Sequence, residues 1–293
     1  MSVCFLGTGA GSPASSRSTS GTLLKLSGTN YLFDAGEGIQ RQLQFARGRS
    51  RLEKIDKIFI THMHGDHIFG LPGLLLSLQT SHMHQKSQSN TANVKIYGPP
   101  GLFNYIASSI TLSCTKLHSL NVEKEEIINQ KSASRRSRKF VSLEGKRHKR
   151  IHIKAAEVDH VPGVVTFGYV IKEDEPPHNL DVEKARSLGV SHKNMNYDLL
   201  KYGFPVIADM INNNNNNNSS DDDDGNARKI AFIGDNRGWT REMTDIARNA
   251  DVLIHEATLL EEDYIRGHST AAMAGRNGAN CDAKVLILNH ISP

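Results

Sequence analysis

Short apolar runs rich in β-branched residues recur along the chain, and each leads into a histidine or an aspartate. Ile55-Asp56-Lys57-Ile58-Phe59-Ile60 leads to His62, and Ile151-His152-Ile153-Lys154-Ala155-Ala156 leads to Asp159 and His160. Further on, Ile230-Ala231-Phe232-Ile233 leads to Asp235, and Val285-Leu286-Ile287-Leu288 leads to His290. Runs of this length, bounded by turn residues, predict buried strands. Helical spacing predicts helices over 71–79, 103–112, 241–249 and 270–276, after a strand-rich start that includes Val3 to Leu6. Strands alternating with helices predict an α/β layered protein. In open α/β sheets ligands collect beyond the carboxyl ends of the strands, so polar side chains set there independently can converge on one site. The strand-to-ligand unit occurs in both halves of the chain, which suits two similar halves packed face to face.

Two stretches break this rhythm. Residues 174–210 include the adjacent Pro176 and Pro177 and a short amphipathic piece (Val182, Ala185, Leu188), and read as an excursion from the core. Residues 212–226, dominated by Asn212 to Asn218 and Asp221 to Asp224, have no apolar surface to bury and are expected to be a disordered surface loop.

The net charge of +4 hides a cluster of lysines and arginines between Lys131 and Lys154, where Glu144 is the sole acid. Such a stretch can bind a polyanion; a solvated loop and a nuclear-import signal are the other readings. Cys4, Cys114 and Cys281 are odd in number and lack C-x-x-C spacing, so neither a disulfide framework nor a thiolate zinc site is expected. No apolar run approaches the roughly 20 residues of a membrane span. A soluble protein of a reducing compartment is expected, the cytoplasm first, with nucleus or organelle left open.

The densest chemistry is Thr61-His62-Met63-His64-Gly65-Asp66-His67. A turn at Gly65 can aim His62 and His64 at one ion and Asp66 and His67 at a second, and neutral imidazole with carboxylate suits Zn²⁺. Two ions held by four groups are undercoordinated, so further ligands are required. His160, Asp235 and His290 each follow a predicted strand, and a carboxylate such as Asp235 can bridge two metals. Taken alone, His160 reads equally well as a polar cap and Asp235 as a turn residue; beside the first motif the metal reading prevails.

H-x-H-x-D-H followed by a later His, Asp and His resembles the metallo-β-lactamase superfamily. Within it, Phe33-Asp34-Ala35-Gly36-Glu37-Gly38, His62 through Leu75, His255-Glu256-Ala257-Thr258 and His268-Ser269-Thr270 are similar to the signature segments of ribonuclease Z, the transfer-RNA 3′-processing endonucleases. Phe5-Leu6-Gly7-Thr8-Gly9 and Tyr97-Gly98-Pro99 agree too. The resemblance implies a four-layer αββα sandwich over residues 1–293. It implies two zinc ions per subunit, with His62, His64 and His160 on one, Asp66, His67 and His290 on the other, and Asp235 between them. It further implies Asp66 as proton acceptor, the pair Glu256 and His268 as proton donor to the leaving oxygen, precursor tRNA as substrate, and a short-form homodimer.

Departures from the family pattern carry expectations of their own. Asp181 to Gly189 resembles the entry to the family's RNA-gripping arm, but Val190 to Asp198 lacks its Gly-Pro pattern, so 174–210 is expected to be a degenerate arm-like insertion. Asn236 stands where threonine is usual and is expected to alter a contact to a nearby phosphate. The chain stops at Pro293, short of the family's further segment, so a truncated or atypical end is expected. The alternatives are another hydrolase of the superfamily acting on a small ester or phosphodiester, and an inactive RNA-binding relative.

Overall fold

The computed structural model describes residues 1–26, 28–46, 52–84, 92–115, 117, 120–126, 141–144, 150–173, 187, 227–260 and 267–292. The expected arm, the low-complexity loop and most of the basic stretch fall outside these residues, as do His118, His148, His178 and His192. The chain divides into two compact units, Met1–Lys172 with Lys229–Pro293, and Glu173–Arg228. In the second, Arg228 donates to the Glu173 carboxylate through Nε and NH2 at 2.5 and 2.7 Å. Among the described residues no helix is long and apolar enough to cross a membrane.

The first unit holds two sheets. In the first, β1 (Ser2–Gly7), β2 (Gly21–Leu26), β3 (Thr29–Phe33), β4 (Ile55–Phe59), β5 (Ala92–Gly98) and β6 (Leu120–Glu126) lie in chain order. The three N-terminal strands pair antiparallel, and β3 to β6 run parallel. Between them come helices α1 (Ile39–Phe45), α2 (Gly65–Ile68), α3 (Leu71–His84) and α4 (Leu102–Leu112). The second sheet is built from β7 (Val141–Glu144), β8 (Arg150–Asp159), β9 (Thr166–Glu173), β10 (Lys229–Ile233), β11 (Gly238–Trp239), β12 (Val252–Glu256) and β13 (Val285–Asn289). Its order is β11-β8-β9-β10-β12-β13, with β7 paired to β8, and α5 (Arg241–Ala247) and α6 (Ala271–Asn280) accompany it. Thr240 and Thr270 start these two helices, each accepting a hydrogen bond from the backbone N–H three residues on, which satisfies an otherwise orphaned donor.

Strand alternation produces the layering. Leu23, Leu32, Ile58 and Ile96 point outward, against Leu43, Leu74, Leu78 and Phe103 of the helices. Their neighbours Leu24, Tyr31, Phe33, Phe59 and Tyr97 point inward and meet Ile153, Phe167, Tyr169, Ile171 and Phe232 of the second sheet. On the far side, Val170, Ala231 and Leu253 pack under Met243, Ala247 and Cys281. Three apolar interfaces therefore separate four layers, helix, sheet, sheet, helix, as expected. Phe59 sits centrally, stacked on Phe33 and Tyr97 at centroid distances of 5.1 and 5.0 Å. Phe59→Ala is expected to cost about 3–5 kcal/mol by denaturant unfolding, and Phe59→Leu less than half of that.

The predicted strands and helices are all present, with their ends shifted by a few residues. One differs in character: β13 reads as buried but lies at the end of the sheet order, and Val285 and Leu288 are exposed. An edge strand has a single neighbour, a property that residue type does not encode.

Candidate active site and metal centre

The candidate metal ligands are delivered from the carboxyl ends of strands. The chain leaves β4 with Ile60 N–H bonded to the Tyr97 carbonyl at 2.8 Å, and then presents Thr61, His62 and His64 before the single turn of α2 carries Asp66 and His67. Gly36 allows this turn to approach closely, since a Cβ there would lie 2.1 Å from the Asp66 carbonyl oxygen. His160 follows β8, Asp235 follows β10, and His290 follows β13 in a left-handed conformation with φ 53°.

These side chains converge. His62, His64, His160 and Asp235 bring ligand atoms within 4.8 Å of one another, and so do Asp66, His67 and His290. Asp235 stands between the two groups: Oδ2 is 3.7 Å from His62 Nε2 and 3.5 Å from His67 Nε2, and Oδ1 is 3.5 Å from His290 Nδ1. The structure thus gathers all seven residues named from the sequence, and His268 approaches Asp235 Oδ2 at 3.6 Å.

The hydrogen bonds behind the rings define which nitrogens carry protons. His160 Nδ1 lies 2.6 Å from the Gly267 carbonyl and His67 Nδ1 lies 2.8 Å from Asp34 Oδ2, acceptors that require N–H on both. Thr61 Oγ1 donates to Asp34, so His62 Nδ1 donates to Thr61 at 3.0 Å; Thr258 Oγ1 donates to Glu256, so His290 Nδ1 donates to Thr258 at 2.8 Å. In the neutral rings all four Nε2 atoms are then lone pairs facing inward. His67 Nε2 and His290 Nε2 stand 3.2 Å apart, and His64 Nδ1 lies 3.0 Å from His62 Nε2 and 3.3 Å from His160 Nε2. Inward lone pairs at such distances, buried and joined by two carboxylates, repel one another unless a cation lies among them. The donor set fits a metal, with outward N–H groups anchored as metal-ligating histidines require.

Electrostatics agree at His62, His64 and His160 and differ at His67. Burial lowers His62 well below its ordinary range, reinforced by the neighbouring His67, and burial likewise lowers His64 and His160. These three rings are neutral and able to ligate; burial would lower His67 too, but Asp235 and Asp34 outweigh it and raise that ring well above its ordinary range. Burial opposes ionisation of Asp235 too, but His290, His67 and His62 outweigh it and hold the carboxyl well below the usual range. For Asp66, burial is outweighed by the bond to His290 and the charge on His67. Both carboxylates are therefore anionic.

Beside this cluster lies a second device. Glu256 accepts from Asn236 N–H and from Thr258 Oγ1, both at 2.5 Å, and from His268 Nδ1 at 3.3 Å. Burial would lower His268, but the bond to Glu256 and the charges of Asp235 and Glu256 raise it above its ordinary value. With Nδ1–H committed to Glu256, Nε2 is the atom free to give a proton. Asn236 corrects an expectation: it is fully buried, its Nδ2 donates to the Gly234 carbonyl at 2.9 Å, and its Oδ1 accepts from Ser269 at 3.2 Å. It braces the loop from inside and faces no phosphate.

Sequence reasoning assigned no role to two residues that hold this arrangement. Asp34, fully buried and left-handed at φ 58°, accepts from Thr61 N–H at 2.8 Å as well as from His67. Its signal was present, since it follows strand β3 as the other site residues follow theirs. His255 donates to the Glu256 carbonyl at 2.6 Å and accepts from Asn277 at 3.0 Å, fixing the backbone that carries Glu256. Asp34→Ala is expected to weaken metal affinity about 10–100-fold, read by chelator competition, because His67 loses the group that orients it.

Two facing sheets with this cluster beyond one end of their strands define a protein of the metallo-β-lactamase fold. The metallo-β-lactamase-fold protein YhfI of Bacillus subtilis superimposes with a TM-score of 0.59 over 99% of this chain and 86% of that one, at 17% identity. Human tRNase Z, short form, superimposes with a TM-score of 0.65 at 27% identity, covering 100% of this chain and 93% of that one. In sequence, the chain is 35% identical to a ribonuclease Z of Enterococcus faecalis over 299 residues, covering all of this chain and 87% of that protein. It is also 35% identical to a ribonuclease Z of Listeria monocytogenes over 301 residues, covering 89% of that one. The chain belongs to the ribonuclease Z family, and over residues 1–176 it also fits the family model described as Anti-Pycsar protein Apyc1.

Proposed function

We propose that this chain is a zinc-dependent endoribonuclease that removes the 3′ trailer from precursor tRNA, leaving a 3′-hydroxyl on the tRNA and a 5′-phosphate on the trailer. The observation that carries the reading is the conjunction of the Glu256–His268 pair with the seven-residue cluster, His268 standing 3.6 Å from Asp235, in a chain matched over its whole length by ribonucleases Z.

His62, His64 and His160 would hold one Zn²⁺, Asp66, His67 and His290 a second, and Asp235 both; nitrogen and oxygen donors of this kind suit zinc. Bound there, the pair would supply Lewis-acid chemistry, activating water and offsetting phosphate charge. The chain's own groups handle the protons. Asp66 accepts one from the attacking water, whose oxygen ends on the phosphate of the trailer. His268 Nε2 delivers another to the ribose 3′ oxygen as the P–O3′ bond breaks, while Glu256 holds the imidazolium. A homodimer working in the cytoplasm completes the proposal.

The test combines metal analysis of the purified protein with mapping of the cut on one precursor tRNA. Two zinc ions per chain and a single cut after the acceptor stem are expected, at a rate above that on bis(p-nitrophenyl) phosphate at equal concentration. Faster turnover of the small diester would overturn the tRNA assignment in favour of another hydrolase of the fold, and binding of precursor without any cut would mark an inactive relative.

A further inference from the structure

Phe69 is out of place for a phenylalanine. It ends the single-turn helix α2, its N–H bonded to the Gly65 carbonyl at 2.8 Å, and it remains 63% exposed. A helical side chain leans back over the turn before it, and this ring does so: a Cβ on Gly65 would meet Phe69 Cε2 at 2.1 Å and Cζ at 2.4 Å. The ring is therefore pressed against the one residue that separates His64 from Asp66, and Gly65 is the residue type that lets it lie there. Among the side chains of the cluster, His62, His67, His160, Asp235 and His290 are almost fully covered, whereas His64, Asp66 and His268 keep partial exposure. The accessible side of the site is thus the side on which His64 stands, with the exposed aromatic face one residue away. Isolated exposed apolar residues are ordinary on protein surfaces, but this one lies against Gly65, the residue between His64 and Asp66.

We infer that Phe69 is a stacking platform for a nucleobase adjoining the scissile phosphate, a positioning residue that sets where along a single strand the cut falls. Every base offers a π face, so a lone aromatic ring grips a strand without reading its sequence. The inference rests on the endoribonuclease reading for its substrate, single-stranded RNA at the 3′ end.

Two measurements test it, one of them independent of cleavage. Trp239 is the sole native tryptophan, so Phe69→Trp adds one exposed reporter to the full-length protein. Its fluorescence is expected to be quenched by a short oligoribonucleotide and left unchanged by an abasic ribose-phosphate strand of equal length; equal response to both, or to neither, overturns the inference whether or not precursor tRNA is cut. In the second, Phe69→Ala is expected to raise KM on precursor tRNA about ten-fold with kcat changed far less, and Phe69→Trp to restore it. One abasic substitution flanking the cut should cost the parent protein the same factor and cost Phe69→Ala nothing more. Additive losses overturn the platform, as does a Phe69→Ala variant that changes oligomeric state in sedimentation while Phe69→Trp stays unquenched, which would make the ring a contact between two copies. Failure of the parent protein to cut precursor tRNA sinks the functional reading and leaves the quenching result to decide this one.

Discussion

His64→Ala abolishes cleavage of precursor tRNA, with a loss of about a thousand-fold or more, while RNA affinity stays within about three-fold. The rate effect follows from ligand arithmetic. His64 Nδ1 lies between His62 Nε2 and His160 Nε2, at 3.0 and 3.3 Å, so its removal opens the first metal group. Metal-assisted activation is worth several kcal/mol of transition-state stabilisation, and each 1.4 kcal/mol or so is a factor of about ten. Binding survives because phosphate contacts spread over a nucleic-acid surface supply most affinity. His64 suits the experiment because it is half-exposed, so truncation leaves a smaller defect in the core than loss of the buried His62 or His67. Steady-state kinetics and filter binding on the same precursor separate the two quantities. Parallel loss of binding would mean that His64 touches RNA or holds the fold, and the centre would need another description.

The second large effect depends on the leaving group. His268→Ala is expected to lower kcat on precursor tRNA by about 10²–10⁴-fold, the usual worth of a positioned general acid. On bis(p-nitrophenyl) phosphate, whose phenolate departs without a proton, the same variant should lose less than about ten-fold. Glu256→Gln should follow the same pattern more weakly: its one oxygen can still accept from Asn236 N–H, but an NH2 group then faces Thr258 Oγ1 and His268 Nδ1 and no longer holds the imidazolium charge. An equal loss on both substrates would show that His268 serves the metal group with Asp235 and His290, to which it also stands close.

The layers were legible because each depends on local chemistry. Ile58 and Phe59 are neighbours in β4, yet one is buried against the helices and the other between the sheets; period-two alternation makes that sorting automatic. His62, Asp235 and His290 could be picked out for the same reason, as polar residues stationed where apolar runs end. Asn236 was misjudged from one residue of context, because whether a side chain beside a ligand turns to solvent or to its own loop depends on partners such as Gly234 and Ser269. Asp34 went unassigned because its purpose exists only against His67 and Thr61, from neighbouring strand ends.

Composition and periodicity thus suffice for the kind of chemistry and for the elements that deliver it: imidazoles and carboxylates at strand ends, on an α/β frame. What required the folded chain is the protonation pattern, the tautomers that turn lone pairs inward at His67 and His290, and the edge position of β13. The division has a physical cause. Burial preference and strand period are properties of residues and their near neighbours, whereas a hydrogen-bond partner two hundred positions away is a property of packing alone.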